Sequence, residues 1–196
     1  PPSGRVGDAI VVGMEGETNV ALAYAPGDTF VHVTSSADSL TFLHAIDIAT
    51  DTVDGGTGLP ASDAGTPVDI VLPGTSELSP VVIAQSDGSL LWATRSGTTW
   101  NVQAAQSLTG TISSITADPK GVATEFVLTL STGEAWALAH ANPAGIPSLF
   151  DDSLSSPVAS AHVAQSSGSP VVWVAGSNNI VSVFDLEGSF LEDVEL

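Results

Sequence analysis

The stretch Ser79-Pro80-Val81-Val82-Ile83-Ala84-Gln85-Ser86-Asp87-Gly88-Ser89-Leu90-Leu91-Trp92-Ala93, carried on by Ser96-Gly97-Thr98-Thr99-Trp100, decides the fold. Its apolar runs are short, and each is closed by a turn pair, Asp87-Gly88 or Ser96-Gly97. Short runs of Val, Ile, Leu and Trp bounded by Gly, Asp and Ser read as strand, tight turn, strand, tight turn, strand. Leu90 and Trp92 alternate with Leu91 and Ala93, so the second strand shows two distinct faces. The first, Pro80 to Ala84, is apolar on both, as in a strand covered on both sides.

The rest of the chain repeats this unit. Forty-five residues after Gly88, Gly133 sits in the turn between Glu125–Leu130 and Ala135–Leu138. Forty-five further, Asn178 sits between Val171–Ala175 and Ile180–Phe184. Ser79-Pro80-Val81-Val82 returns ninety residues later as Ser169-Pro170-Val171-Val172, and Phe190 follows Trp100 at the same interval. A strand precedes each hairpin, at Pro67–Val71, Thr111–Ile115 and Pro157–Ala161. This register puts Trp92 opposite Ala137 and Ser182, and Leu91 opposite Trp136 and Val181. Large and small residues thus exchange at equivalent sites, which keeps the packed volume constant.

The first copy is looser. Its strands read as Ala9–Val12, Val20–Tyr24, Phe30–Val33 and Leu40–Ile46, with a turn at Pro26-Gly27-Asp28, and Asp51 to Thr66 reads as an insertion. The expectation is one all-β domain over residues 1–196, made of four repeats of about 45 residues, each a four-stranded antiparallel unit. Approximate repeats are 8–50, 67–104, 111–150 and 157–194, with the insertion at 51–66. A β-propeller, four-bladed or part of a larger one, fits this pattern. A β-sandwich or jelly roll has similar strands but gives no reason for the period.

The charge balance excludes several functions. Lysine and arginine number 3 against 22 aspartates and glutamates, a net charge of −19, yet only 13% of residues are charged. The acidic content is ordinary; what is missing is lysine and arginine. Arg5, Arg95 and Lys120 cannot form the cation cluster that nucleic acid requires, and anionic membranes would repel this surface. No apolar run approaches the ~18 residues of a membrane span, so no membrane insertion is expected. Without cysteine there is no disulfide frame. Pro1-Pro2-Ser3-Gly4-Arg5 has no signal-peptide pattern. Two settings suit this surface: an extracellular, cell-surface or virion location, or a high-salt environment where screening relieves self-repulsion.

Ser96-Gly97-Thr98-Thr99-Trp100 resembles the Asp-box turn of sialidase-type β-propellers, whose pattern is Ser-x-Asp-x-Gly-x-Thr-Trp. Gly97, Thr99 and Trp100 match its end; the aspartate is absent and the spacing before Gly97 is one residue short. The resemblance implies a propeller-like blade and carries no catalytic residue with it. A sialidase-like site needs three arginines, more than this chain has to spare. The hemopexin-like four-bladed propellers are similar in size but carry closing cysteines that are missing here.

Candidate chemistry is sparse. A glycosidase needs two carboxylates flanking a sugar bond, and nothing in the sequence pairs any two of Asp47, Asp63, Glu77, Asp118 and Asp151. No Gly-x-Ser-x-Gly elbow, Ser-x-x-Lys or phosphate-cradling loop occurs. A hairpin about Ser36-Ala37-Asp38 would set His32 opposite Phe42, with His44 diagonal to it on the same face; two imidazoles there lack a third metal ligand. The best cation candidate is Asp47, Asp51 and Asp54 with Gly55-Gly56, oxygen donors of the kind calcium prefers, at a spacing unlike an EF-hand. Trp92, Trp100, Trp136 and Trp173 read as blade core rather than as a glycan-stacking platform. The expected function is a non-catalytic interaction or structural module on a surface or in a larger assembly, with a protein partner or its own oligomer. A glycan-active enzyme or glycan-binding lectin is the alternative, and no cofactor other than calcium is called for. Insertions on repeats tend to fall on the binding face, so Asp51, Thr52, Val53, Asp54 and Asp63 are the candidate binding residues, and a deletion of Thr52 to Asp63 is expected to spare the fold.

Overall fold

The hairpins centred on Asp87-Gly88, Thr132-Gly133 and Ser177-Asn178 all form. A computed structural model describes residues 16, 18–23, 30–37, 40–50, 52–53, 57–59, 65–72, 80–97, 99–117, 125–139, 148–149, 158–166 and 168–195. Among these there are 17 strands and no helix. They form four antiparallel sheets, in each of which the strands lie in chain order. The first holds β1 (Thr18–Ala23), β2 (Phe30–Ala37), β3 (Leu40–Asp47), β4 (Thr52–Val53) and β5 (Thr57–Gly58), with β4 and β5 both paired to β3. The second holds β6 (Pro67–Val71), β7 (Val81–Gln85), β8 (Ser89–Ser96) and β9 (Thr99–Ser107). The third holds β10 (Ile112–Ala117), β11 (Glu125–Leu130), β12 (Ala135–Ala139) and β13 (Ser148–Leu149). The fourth holds β14 (Val158–Ser166), β15 (Ser169–Gly176), β16 (Ile180–Phe184) and β17 (Phe190–Glu195).

Each sheet is a blade, and consecutive blades bury a dry core between them. Ala23, Leu43, Ala45 and Leu59 of blade 1 pack on Ile70, Val81, Ile83, Leu91 and Ala93 of blade 2. The opposite face of blade 2, with Val82, Ala84, Leu90 and Trp92, packs on Ile115, Phe126 and Leu128 of blade 3. Val127 and Ala135 of blade 3 then meet Ala161, Val172, Val174 and Phe184 of blade 4. The alternation of Leu90 and Trp92 with Leu91 and Ala93 is therefore real: the two pairs serve different interfaces. Trp92 and Phe126 meet ring to ring across one of them, with centroids 5.5 Å apart. Buried on both faces, β7 is apolar from Val81 to Ala84, and its buried Gln85 accepts the Ser89 hydroxyl at 2.7 Å.

The first strand of every blade carries a β-bulge at the same place, after Asn19, Pro67, Ile112 and Val158. A bulge adds one residue and bends the strand. The strands that carry it run side by side, β1 against β6, β6 against β10 and β10 against β14; among the described residues no comparable contact returns from β14 to β1. Among the described residues the blades thus follow one on the next, 1 on 2, 2 on 3 and 3 on 4, with no comparable contact from the last back to the first.

The turns explain the period and correct it. In Gln85–Ser89 the amide of Gly88 donates to the Gln85 carbonyl at 3.1 Å, and the Asp87 Oδ1 accepts the amide of Ser89 at 3.0 Å. Gly133 donates in the same way to Leu130 at 2.9 Å. In blade 4 it is Asn178 that copies Asp87, its Oδ1 accepting the amide of Ile180 at 3.2 Å, while Asn179 takes the left-handed position with φ 64°. Asparagine tolerates that conformation better than most residues. Asn179, not Asn178, is thus the counterpart of Gly133, and the last period is forty-six residues. A one-residue slip moves every side chain to the other face. Trp92 and Ala137 therefore correspond to Val183, and Leu91 and Trp136 to Ser182.

Blade 1 also differs from expectation. Its strands begin at Thr18, each one place earlier in the blade than the reading had it, and the stretch read as an insertion supplies the outermost strands β4 and β5. Leu59, just beyond β5, is buried in the core shared with blade 2. Ala9–Val12, the Pro26-Gly27-Asp28 turn and residues 60–64 lie outside the described residues.

Candidate interaction surfaces

The acidic loop starts at the end of β3. One oxygen of Asp47, Oδ1, accepts the amides of Ala49 at 2.8 Å and Thr50 at 3.2 Å, and the Thr50 and Thr52 hydroxyls pair at 2.8 Å. That is the local turn chemistry of aspartate and threonine. Thr52 is exposed and Val53 half-buried, and they pair with Asp47 and Ile46. Asp51, Asp54 and Asp63 lie outside the described residues, as do Glu77, Asp118 and Asp151. Among the described residues no three His, Asp or Glu side chains come together as a metal site would require.

The histidine pair is separated. The β2–β3 turn falls at Ala37–Leu40, so Val33 faces His44 and His32 faces Ala45, three positions from the expected pairing with Phe42. An odd shift puts positions 32 and 44 on opposite faces of the sheet. His44 is buried.

Two polar devices do structural work. Asp69 follows the bulge of β6; its Oδ1 accepts the amide of Ile70 at 2.9 Å and its Oδ2 the amide of Ile115 at 3.1 Å. One carboxylate thereby ties the first strand of blade 2 to that of blade 3. Ser182, at the site held by Leu91 in blade 2, donates to Asp193 Oδ1 at 2.6 Å, which satisfies a buried hydroxyl.

The tryptophans divide. Trp92 and Trp100 are buried as expected. The turn resembling an Asp-box is a tight β8–β9 hairpin in which Ser96 pairs with Thr99 and Gly97 has φ +62°, and the Arg95 guanidinium lies 6.0 Å from the Trp100 ring centre. The side chain of Trp136 lies outside the described residues. Trp173 corrects the reading: it is 37% exposed, on the face of blade 4 turned away from blade 3. Nothing in its own sequence marks it, since its strand reads like its buried counterparts; only its place in the last blade exposes it.

The outer edge of blade 4 completes the set. β17 ends its sheet, and Phe190 and Leu191 are about half exposed there beside the exposed acids Glu192, Asp193 and Glu195. Among the described residues no helix is long and apolar enough to cross a membrane.

No family model matches the sequence, and no curated protein does. The structure matches a solved chain described as YCF48 bound to D1 peptide, with a TM-score of 0.63 at 14% identity, over 95% of this chain and 57% of that one. The chain thus spans a little over half the length of the solved protein it resembles. Blades in chain order, antiparallel strands within each, and this likeness agree on one architecture: the fold is that of a β-propeller.

Proposed function

We propose that the chain is a non-catalytic interaction module, displayed on a surface or built into a larger assembly, that binds an extended protein segment of basic character. The observation that carries this reading is the edge of blade 4. An edge strand presents unpaired N–H and C=O groups to which an extended segment can add as a further strand. On β17 that edge comes with two half-exposed apolar side chains and three acids. The net charge of −19 favours a basic partner at long range. The solved propeller it resembles holds a peptide, which supports the class of partner and not its identity.

The same composition supports an extracellular, cell-surface or virion setting or a high-salt one, and calcium is the cation proposed for the loop of Asp47, Asp51 and Asp54. A glycan is the competing ligand. Fluorescence anisotropy with labelled peptides of alternating apolar and lysine residues, set against glutamate counterparts, separates these readings. The basic peptides should bind, more weakly as salt is raised, and Phe190→Ser with Leu191→Ser should weaken them about tenfold, roughly 1.4 kcal/mol. Indifference to peptide charge, or turnover of a polysaccharide that is lost on replacing one acid, would overturn the module reading.

A further inference from the structure

β9 is the last strand in the sheet of blade 2, and among the described residues no strand lies beside its outer edge. It is nine residues long, whereas the outer strands β4, β5 and β13 have two each and the six-residue β17 carries Glu192, Asp193 and Glu195. Shortness and charge are the usual protection of an exposed edge. β9 has neither, and it contains no proline. Its pairing with β8 fixes what the edge presents. Ser96 pairs with Thr99, Thr94 with Asn101 and Trp92 with Gln103. Alternate residues of a strand fall on opposite faces. Trp100 and Val102 belong to the core shared with blade 1, whereas Thr99, Asn101 and Gln103, on the other face, are exposed. In an antiparallel ladder every second residue exchanges both backbone bonds with its partner, and the residues between turn their N–H and C=O outward. The regular run extends as far as the bulge between Ala104 and Gln106.

We propose that this edge pairs with β9 of a second copy of the chain, antiparallel across a two-fold axis near Asn101 to Gln103. Charge selects the occupant. Two copies at −19 each meet most readily where acids are absent. From Gly88 to Ala117 the sequence has no aspartate or glutamate and one arginine, Arg95, and neither β8 nor β9 holds an acid. A basic segment of the kind proposed for β17 finds no carboxylate on these two strands. A second β9 is instead a neutral match, and the two-fold arrangement makes one patch its own complement. Asn101 and Gln103 of one copy lie opposite or diagonal to those of the other, and their amides both donate and accept. Pairing one strand edge is a small contact, so association depends on concentration, and salt strengthens it by screening the rest of the surface. The inference is independent of what β17 binds.

The test is sedimentation velocity on the 196-residue chain across a concentration series, in low and high salt. The expected result is a species of twice the 19.7 kDa chain mass that grows with concentration and salt. Asn101→Asp and Asn101→Lys separate edge pairing from a general effect of charge. Both set like charges across the axis, so each should weaken association about tenfold. Asn101 is exposed, so both should keep the circular dichroism spectrum of the parent; Gln103→Asp and Gln103→Lys serve if either fails to fold. An equimolar mixture of the aspartate and lysine variants sets opposite charges across the axis and should associate more tightly than either alone. Phe190→Ser with Leu191→Ser should leave association unchanged. A wild-type chain that stays monomeric in high salt, a lysine variant that associates more tightly than the wild type, a mixture no tighter than its components, or loss of association in the β17 variant would overturn the proposal.

Discussion

Replacing Gly88 by alanine tests the repeat at its most constrained point. Gly88 has φ +86°, and a β-carbon there would lie 2.3 Å from the Leu108 carbonyl oxygen and 2.5 Å from that of Gly110. Both obstacles are backbone, so neither can swing away as a side chain would. The left-handed conformation costs a non-glycine residue about 1–2 kcal/mol. Relieving the clash pushes apart the segment whose Leu108 amide donates to the Gly88 carbonyl at 2.9 Å, and loss of a buried bond of that kind costs about 1–3 kcal/mol. Together these put the loss at about 2–5 kcal/mol. Gly97 is the control: its φ is +62°, but a β-carbon there meets nothing within 4 Å, so only the conformational cost applies, about 1–2 kcal/mol. At about 2–4 °C per kcal/mol for a chain of this size, Gly88→Ala should lower Tm by about 4–20 °C, and Gly97→Ala by about 2–8 °C. Thermal and urea melts followed by circular dichroism read both. If Gly88→Ala melts within a degree or two of Gly97→Ala, the turn is not packed against the Leu108–Gly110 segment as described, and the reasoning fails.

Trp92→Ala should cost about 3–5 kcal/mol in urea melts, because the ring fills the core against Phe126, whereas Trp173→Ala, at a partly exposed site, should cost the monomer about 1 kcal/mol. Asp69→Ala should cost about 1–3 kcal/mol by leaving the Ile115 amide without its acceptor; Asp69→Asn, which keeps one acceptor oxygen, should cost less in the same melts. Deleting Thr52 to Asp63 removes β4, β5 and buried Leu59, so it should lower stability by at least about 2–5 kcal/mol, and a deletion variant that melts like the parent would show that blade 1 does not need its outer strands. Tm should rise with salt as the −19 charge is screened, and calcium at constant ionic strength should raise it further, an increment lost in Asp51→Asn and Asp54→Asn; identical melts with calcium and with chelator would end the calcium proposal.

The hairpins of blades 2, 3 and 4 were legible because turn chemistry is local: Asp87-Gly88 and Thr132-Gly133 announce their own conformation, and the apolar runs beside them have no other use. The expectation of no nucleic-acid partner also came from composition, since three cations against 22 acids offer few contacts to phosphate. Where pairing register mattered, local signals failed. Asn178 and Asn179 are chemically alike, and only the ladder of β15 on β16 shows which one takes the left-handed position. His32 and His44 were placed on one face by a turn misjudged by an odd number of residues, an error that strand periodicity turns into opposite faces. Blade 1 was read one strand early because β4 and β5 are only two residues each, too short to show an alternation. Exposure at equivalent repeat positions was beyond sequence altogether. Leu22 occupies a repeat position buried in blades 2, 3 and 4, and Trp173 one buried in blades 2 and 3, and a strand's sequence does not show which copy is covered. Burial needs a second surface, and a strand's own residues do not say whether that surface arrives.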